Sequence, residues 1–466
     1  MNKILSLYGF KKYNYLIFCF LLLLTPTASA TNVFNLEGFG PVSRSLAGGG
    51  AAHDIGAGGL MYNPATLGLM RQGAEIHLGI DILFPIIELE NKQTGESVVS
   101  KSTSNNRLPY YGPEIAYAFS TDKMTFAGGV FAQGGSGTEY GNKSFLSRTT
   151  TNNTDTDLGV SSRLINLRVP FAAAYKVNDK LILGASVDVI WTSLNIELLF
   201  DTTQVNSLIA DNRINGSLLS ALGGFSDLSG VHLSSVKDEI IGGGADAWGI
   251  GGKLGLTYQV FPSTRLGFVY NFETHVDDLT GESRIIAVDN TLGQVVISGN
   301  IRIRDFQMPA QFSAGINQVI NDQWTLIADY QRVFWKDVMT NVDIGFIDSE
   351  SGDEVDILLP QNYRDINIYT IGLEYKHNQR WSFRAGFSKA DQVLPTNVLT
   401  PVLPVNLTTH ITAGLSYTLS SNSSIDFAFS HAFENKRSNS SQPNTSVPIE
   451  SRISLYSGIL ALVYRF

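Results

Sequence analysis

The side chains that could do chemistry are few and widely spaced in this sequence. Its seven histidines form no His-Glu-x-x-His run, the pattern that places two zinc ligands on one helix face. No Gly-x-Ser-x-Gly run presents a serine nucleophile on a tight turn. The adjacent pair His53-Asp54 lies among many glycines, which favours a structural position over a catalytic one. The sequence therefore predicts no enzyme motif and no metal or other cofactor.

A glycine-rich run extends from Ser45 to Leu69. Such a run holds phosphate when a strand precedes it and a helix that opens with Lys-Ser or Lys-Thr follows it. Here no such strand precedes the run and no such dipeptide follows its glycines. We therefore reject a nucleotide site and expect a backbone that packs closely against another surface.

Residues 1–30 have the three parts of a secretory signal peptide. Lys3, Lys11 and Lys12 give a positive start, Leu16 to Leu24 form a short apolar core, and Ala28-Ser29-Ala30 is a cleavage signal. The single cysteine of the chain lies within this segment. We therefore expect an exported protein that is held together without disulfides.

The composition of the chain narrows its class. A net charge of −9 argues against a nucleic-acid partner, which needs a basic face. Charged residues make up 16% of the chain, against roughly 25% in ordinary globular proteins, while 26 Phe, 18 Tyr and 5 Trp make aromatic residues abundant. After residue 30, no apolar run reaches the length of a membrane helix, which is about 18 residues. These features predict a membrane β-barrel.

The strand pattern supports this prediction. Residues 75–82 alternate apolar with polar or small side chains, and the alternation recurs at 115–119, 254–260 and 266–270. Six short polar turns alternate with seven long connections, which predicts fourteen antiparallel strands. Aromatic residues near the short turns form one interfacial girdle, and the chain ends in Phe466, as is typical of outer-membrane proteins.

Residues 31–72 do not share the alternation and are too rich in glycine and alanine for an apolar outer face. Because they precede the first strand, they form either a periplasmic tail or a plug inside the barrel. We therefore divide the chain into a signal peptide (1–30), an N-terminal segment (31–72) and a barrel (73–466).

Several stretches resemble the FadL family of outer-membrane transporters for long-chain fatty acids and other hydrophobic compounds. One is the Asn63-Pro64-Ala65 triplet ahead of the first strand, and the others are FAQGGSGTEYG (131–141), MPAQFSAGINQVINDQWTLIADYQ (308–331), WSFRAGFSKADQ (381–392) and LPVNLTTHITAGLSY (403–417). The resemblance implies a barrel of fourteen strands that is closed by an N-terminal hatch. It also implies a lumenal pocket and a sideways exit where the third strand bends.

The resemblance also implies roles for particular residues. Phe34 is expected to contact the pocket, with plain packing as the alternative. Asn63-Pro64-Ala65 is expected to pack against the strand bend and to link the hatch to the opening, although Asn-Pro also favours plain turns. Gly134 and Gly135 match the bend, or else make room for the hatch. Tyr363 stands where we expect a tryptophan, and we assign this departure no functional consequence.

Two further groups follow from the residues themselves. In the longest connection, leucines at roughly helical spacing predict either an apolar capture groove or loop helices that bury them. The leucines expected to line the groove are Leu218, Leu219 and Leu222. Arg302 and Arg304 alternate with isoleucines in a predicted wall strand and are expected to face the lumen. There they would pair either with a ligand carboxylate or with acidic groups of the wall or plug.

We therefore expect a monomeric protein in the outer membrane of a Gram-negative bacterium, in contact with its lipid, that passively admits hydrophobic molecules. Long-chain fatty acids are the first expectation for the substrate and aromatic hydrocarbons are the alternative. A lipid-acting barrel enzyme and a general porin remain as other classes.

Overall fold

The computed structural model describes residues 33–100, 109–149, 153–235, 244–403, 407–439 and 444–466. The predicted signal peptide, with Cys19, lies outside the described residues. Within the described ranges, no helix is long and apolar enough to cross a membrane. The same residues contain no group of His, Cys, Asp or Glu side chains placed to hold a metal ion.

Antiparallel β-strands dominate the fold. In chain order they are β1 Gly73–Asn91, β2 Ser97–Val99, β3 Tyr110–Ser120, β4 Met124–Glu139, β5 Ser161–Lys176, β6 Leu181–Asp201, β7 Ile214–Asn215, β8 Leu228–Ser234, β9 Ala245–Phe261, β10 Thr264–Asn271, β11 His275–Val276, β12 Leu279–Asp289, β13 Gly293–Arg304, β14 Gln311–Val319, β15 Trp324–Val333, β16 Asn341–Asp348, β17 Glu354–Pro360, β18 Ile366–Lys376, β19 Trp381–Ala390, β20 Thr409–Ser420, β21 Ser423–Asn439 and β22 Ile449–Arg465.

The long strands close into a ring. The first strand, β1, pairs with the last, β22, from Glu75 opposite Arg465 to Asn91 opposite Ile449. Around the ring, each strand pairs with the next in the order β1, β3, β4, β5, β6, β9, β10, β14, β15, β18, β19, β20, β21, β22. Closure gives every strand of the ring a partner on each side over at least part of its length, so the fold is an all-β antiparallel barrel.

The connections differ at the two ends of the ring. Six short turns join β3 to β4, β5 to β6, β9 to β10, β14 to β15, β18 to β19 and β20 to β21, which confirms the predicted turns. We call this the short-turn end, and the opposite one the long-loop end. The helices are short: α1 Gly40–Ser45, α2 Thr202–Ala210, α3 Leu218–Leu222 and α4 Trp335–Val338, with 3-10 helices at Gly56–Leu60, Pro64–Leu69, Phe145–Ser147 and Thr396–Val398.

Side chains on the ring strands alternate between the two faces. On β3, Ile115, Tyr117 and Phe119 are exposed, whereas Ala116 and Ala118 are buried. On this strand the outer face is therefore apolar and residues 116 and 118 of the inner face are small; an apolar outer face is the arrangement of a barrel in lipid.

Aromatic pairs bridge neighbouring strands at the short-turn end. The rings of Trp324 and Tyr375 are 4.5 Å apart, and those of Trp381 and Tyr417 are 4.4 Å apart. Aromatic side chains of this kind sit at the boundary between hydrocarbon and water in membrane barrels.

The long-loop end carries a second set of strands that the sequence analysis did not anticipate. Here β6, β8, β12, β13, β16, β17 and β7 pair in that order. The prediction that residues 301–304 belong to a wall strand is therefore wrong, because β13 pairs with β12 and β16 in this set. A half-buried loop strand has the same two-residue alternation as a wall strand.

The N-terminal segment, residues 33–72, is almost entirely buried and contacts strands from around the ring. Its backbone forms hydrogen bonds with side chains on the ring: Glu114 of β3, Asp329 of β15, Thr370 of β18 and Thr412 of β20.

Close approach to the wall requires glycine at two paired positions. Gly184 of β6 lies opposite Gly255 of β9. A β-carbon on Gly184 would overlap the backbone of Pro64 and Ala65, and one on Gly255 would overlap the side chain of Asn63.

We predict that Gly255→Ala destabilises the protein by about 1–3 kcal/mol, because overpacking forces buried groups apart. Gly458→Ala in β22 is the matched control, since a β-carbon there meets its nearest neighbour at an ordinary 3.6 Å. Thermal unfolding in detergent, followed by circular dichroism, measures the difference. Equal unfolding temperatures for the two variants would contradict this packing.

Candidate functional site

The wall of the ring is interrupted beside β4. The pairing between β3 and β4 ends at Glu114 and Phe131, although both strands continue toward the long-loop end. We call this interval the wall break; it lies between residues 110–113 of β3 and residues 132–139 of β4. Along it β4 keeps β5 as its partner, with a shift of register between Ala132 and Gly134. Such a bulge bends its strand and leaves backbone groups in need of partners.

Both glycines that the resemblance assigned to the bend lie in this bulged stretch. Gly134 has a φ of 156°, in the range that disfavours side chains. Gly135 faces β5 so closely that a β-carbon would overlap the carbonyl of Leu164. The backbone therefore requires small residues at both positions.

The N-terminal segment supplies partners to β4 at the wall break. Asn35 forms an antiparallel bridge with Gly134. The Leu36 N–H donates to the Gln133 carbonyl at 3.1 Å, and Gln133 Nε2 donates to Asn35 Oδ1 at 2.8 Å. We call these four residues the latch, because they join the start of the segment to the wall where β3 has left it.

Phe34, one residue before the latch, is buried among three aromatic rings. Its centroid lies 5.6 Å from Trp335, edge-on at 81°, 6.2 Å from Tyr363 and 6.3 Å from Phe306. We call Phe306, Trp335 and Tyr363 the aromatic cluster. Edge-to-face rings at these distances attract each other beyond their apolar burial.

Three different loops position the aromatic cluster. Phe306 lies between β13 and β14, and Trp335 opens α4 directly after β15. Tyr363 follows β17, and its N–H donates to the Met339 carbonyl at 3.0 Å. Tyr363, which stands where we expected a tryptophan, thus contacts Phe34 with its ring. Its loop has no periodicity that the sequence analysis could have used.

Two polar groups of the cluster are buried without a hydrogen-bond partner, Trp335 Nε1 and Tyr363 Oη. Burial raises the pKa of the Tyr363 hydroxyl, so this group keeps its proton and remains a donor. Each group is thus an unused hydrogen-bond donor in an otherwise apolar site.

Buried charges hold α1 against β1 and β3. The Glu114 carboxylate accepts from the Gly40 N–H at 2.9 and 3.1 Å. Arg44 lies 2.9 Å from Asp81 and 3.6 Å from Glu37, and all three side chains are buried. These residues were not predicted from the sequence. Asp81 shares the inward face of β1 with Glu75 and His77, so the alternation marked its side chain as inward without singling it out.

A second buried carboxylate holds the glycine-rich run. Asp329 Oδ2 accepts from the Gly50 N–H at 2.6 Å, from the Ala51 N–H at 2.9 Å and from the Tyr62 hydroxyl at 3.1 Å. The run is thus fixed to β15 by its backbone N–H groups, and the anion that they bind is a side chain of the wall.

In the pair His53-Asp54, the histidine side chain contacts the wall of the ring. His53 Nδ1 lies 2.9 Å from Asn317 Oδ1, and its Nε2 lies 3.8 Å from Glu374. These contacts join the segment to β14 and β18.

Asn63-Pro64-Ala65 lies against β6 and β9. Asn63 Oδ1 accepts from the Ala65 N–H at 3.0 Å and caps the 3-10 helix that follows, while Nδ2 donates to the Ala51 carbonyl at 2.7 Å. The expectation that the triplet packs against the bend is wrong, because the latch residues occupy that place. The small residues of β6 and β9 leave the space in which the triplet fits.

The leucines expected to form an exposed capture groove lie in the core of the long-loop end. Leu218 and Leu222 of α3 are buried, and Leu219 is partly buried and packs on the same core. The alternative of loop helices that bury their leucines describes this arrangement, since the apolar side chains gain more by leaving water.

Arg302 and Arg304 do not face the lumen, because β13 lies outside the ring. Arg302 is exposed and lies 2.6 Å from Asp278. Arg304 lies 2.8 Å from Asp343 and 2.6 Å from Asp356. Both guanidinium groups are thus paired with acidic residues of the long loops.

Comparisons with known proteins identify the family to which this barrel belongs. The family model described as outer membrane protein transport protein (OMPP1/FadL/TodX) matches residues 21–465. The long-chain fatty acid transport protein of Escherichia coli O6:H1 is 22% identical over 409 residues, which is 86% of this chain and 85% of the relative. An uncharacterized protein of Chlorobium limicola is 51% identical over 65 residues, 14% of this chain and 32% of its own length.

Solved structures match over nearly the whole chain. The toluene transporter TodX of Pseudomonas putida is 35% identical with a TM-score of 0.83, covering 93% of this chain and 99% of TodX. The toluene transporter TbuX of Ralstonia pickettii is 44% identical with a TM-score of 0.79, at 93% and 99% coverage. The chain therefore belongs to the OMPP1/FadL/TodX family, and it is an outer-membrane transport protein for hydrophobic compounds, not an enzyme.

Proposed function

We propose that this protein admits monoaromatic hydrocarbons through the outer membrane by passive diffusion, and that the place of Phe34 in the aromatic cluster is the binding site. The proposal rests on the chemical identity of the Phe34 side chain. The side chain of phenylalanine is a benzyl group, which is toluene attached to a backbone. The cluster thus already surrounds a ring of the size and shape of the proposed substrate.

The site has no room for a ligand while Phe34 occupies it. The cavity beside the latch, lined by Gln133, Arg168 and Met308 among others, has a volume of about 40 Å³. That volume suits water, whereas a cavity that binds benzene measures about 150 Å³. A substrate ring must therefore replace the ring of Phe34.

Displacement of the Phe34 ring by a substrate would disturb the hydrogen bonds of the latch. Phe34 directly precedes Asn35 and Leu36, which hold the latch closed, so moving its ring pulls on the partners of Gln133 and Gly134. In this proposal residues 31–72 are the hatch, and the wall break is the sideways exit into the membrane. The fourteen strands of the ring cross the membrane, and the strands of the long loops lie outside it.

Two observations favour aromatic hydrocarbons as the substrate over long-chain fatty acids, which were the first expectation. The relatives named as long-chain fatty acid transport proteins are 20–22% identical to this chain, while the toluene transporters TodX and TbuX are 35% and 44% identical. The cluster around Phe34 suits a flat ring better than a flexible chain.

We further propose that the protein works as a monomer against outer-membrane lipid. A barrel that contains a buried N-terminal segment does not match the open channel of a general porin.

Uptake by whole cells tests the proposed function. We expect a Gram-negative host without its own transporter of this family to take up labelled toluene several-fold faster when it makes this protein, and to gain no uptake of labelled oleate. A variant with Trp335→Ala and Tyr363→Ala, present in the outer membrane at an equal level, is the control. Gain of oleate uptake alone would contradict the proposal.

We predict that Phe34→Ala raises the affinity for toluene about tenfold, because an internal ring that competes for the site lowers the apparent affinity by its occupancy. Equilibrium dialysis of the purified protein in detergent measures this. Phe346→Ala, which truncates another buried phenylalanine of the same core, is the matched control and leaves the competitor in place. Weaker toluene binding in both variants would show that Phe34 only packs.

A further inference from the structure

The aromatic cluster contains two donors that a hydrocarbon cannot satisfy. Trp335 is fully buried and its Nε1–H has no acceptor, and Tyr363 is 3% exposed and its hydroxyl has none. Most buried polar groups in proteins have a partner, and a group left without one destabilises the fold. Two such donors on adjacent rings therefore require an explanation.

The hydroxyl of Tyr363 is not needed for shape. A phenylalanine at 363 would fill the same space without a buried hydroxyl, and the edge-on contact of Trp335 with Tyr363, 5.7 Å at 68°, does not depend on that hydroxyl. Other buried tyrosines of the chain do have partners: the Tyr140 hydroxyl donates to the Pro401 carbonyl at 2.9 Å.

Both donors belong to rings that contact Phe34 directly. A substrate ring in the place of Phe34 would therefore bring its substituents next to these same two rings. A carbonyl, ether or ester oxygen on such a substituent accepts hydrogen bonds, whereas an alkyl group cannot. A site with buried donors discriminates by this difference more strongly than an apolar pocket does by shape.

We propose that the aromatic cluster selects monoaromatic compounds that carry a hydrogen-bond acceptor, with Tyr363 and Trp335 as the residues that determine this specificity. The inference rests on the proposed function, since it assumes that a substrate ring takes the place of Phe34. It extends the substrate class from hydrocarbons to their oxygenated counterparts, such as aryl ketones and esters.

A shape-matched pair of ligands tests the inference. Acetophenone and ethylbenzene differ by an oxygen at one carbon of the substituent, and their dissociation constants are measured by equilibrium dialysis against purified protein, corrected with detergent alone. We expect acetophenone to bind about tenfold more tightly than ethylbenzene, the ratio for one added hydrogen bond. Tyr363→Phe or Trp335→Phe should reduce this ratio, and the double variant should bring it to one or below, because the ketone oxygen would then be buried without a donor.

Tyr140→Phe is the matched control, because it removes a buried hydroxyl outside the cluster and should keep the wild-type ratio. Equal binding of the two ligands by the wild type would overturn the inference and leave the proposed function standing. A preference for acetophenone that survives the double variant would also overturn it. Failure of both ligands to bind would count against the proposed function itself.

Discussion

The backbone of β4 must find hydrogen-bond partners where β3 leaves it. In the interior of a membrane, each unsatisfied N–H or carbonyl group costs several kcal/mol, so a wall with a missing ladder needs a substitute. Here the Leu36 N–H provides it by donating to the Gln133 carbonyl. Since Phe34 lies two residues upstream, the same chain that completes the wall also places a benzyl group in the aromatic cluster. The position of the Phe34 ring in the cluster and the continuity of the wall are therefore linked through three consecutive residues, 34–36.

Energetics indicate which part of the N-terminal segment can move. Breaking the buried pair of Arg44 and Asp81 would cost about 3–5 kcal/mol, because each charge would be left without its partner. Asp329 adds a second set of buried bonds, to the backbone of the glycine-rich run. The latch, in contrast, has two hydrogen bonds, each worth about 0.5–1.5 kcal/mol. Opening of residues 33–36 would break these two bonds and withdraw Phe34 from the aromatic cluster, but it would leave the buried bonds of Arg44 and Asp329 in place.

The fold was predictable from the sequence where one physical rule acts on many residues. Two-residue alternation and short polar turns located the wall strands, because every wall strand must expose apolar side chains to lipid. The same rule failed at Arg302 and Arg304, since a loop strand that covers an apolar core alternates in the same way. Two readings stayed open for Leu218 and Leu222 for a related reason: helical spacing of leucines identifies a buried face, and does not tell whether protein or ligand covers it.

The candidate site was harder to predict because it is assembled from distant, aperiodic loops. The resemblance pointed to Phe34 and Gly134, but Trp335, Tyr363 and Gln133 come together only through the topology of the barrel. Asn63-Pro64-Ala65 was placed at the wrong part of the wall, since a sequence motif carries no information on which strand it meets. Paired glycines on β6 and β9 decide that contact, and their pairing is known only from the fold.

A reversible cross-link of the latch tests most directly whether the start of the segment must leave the wall. The described part of the chain has no cysteine, so Asn35→Cys and Gln133→Cys would introduce a single pair in the latch. Loss of both free thiols on oxidation would verify that the pair has closed, since a disulfide needs β-carbons about 4 Å apart. We predict that the oxidised protein, assayed in cells, takes up toluene at the background rate and that reduction restores uptake. Toluene uptake by the oxidised protein at the rate of the reduced one would contradict the link between the latch and transport.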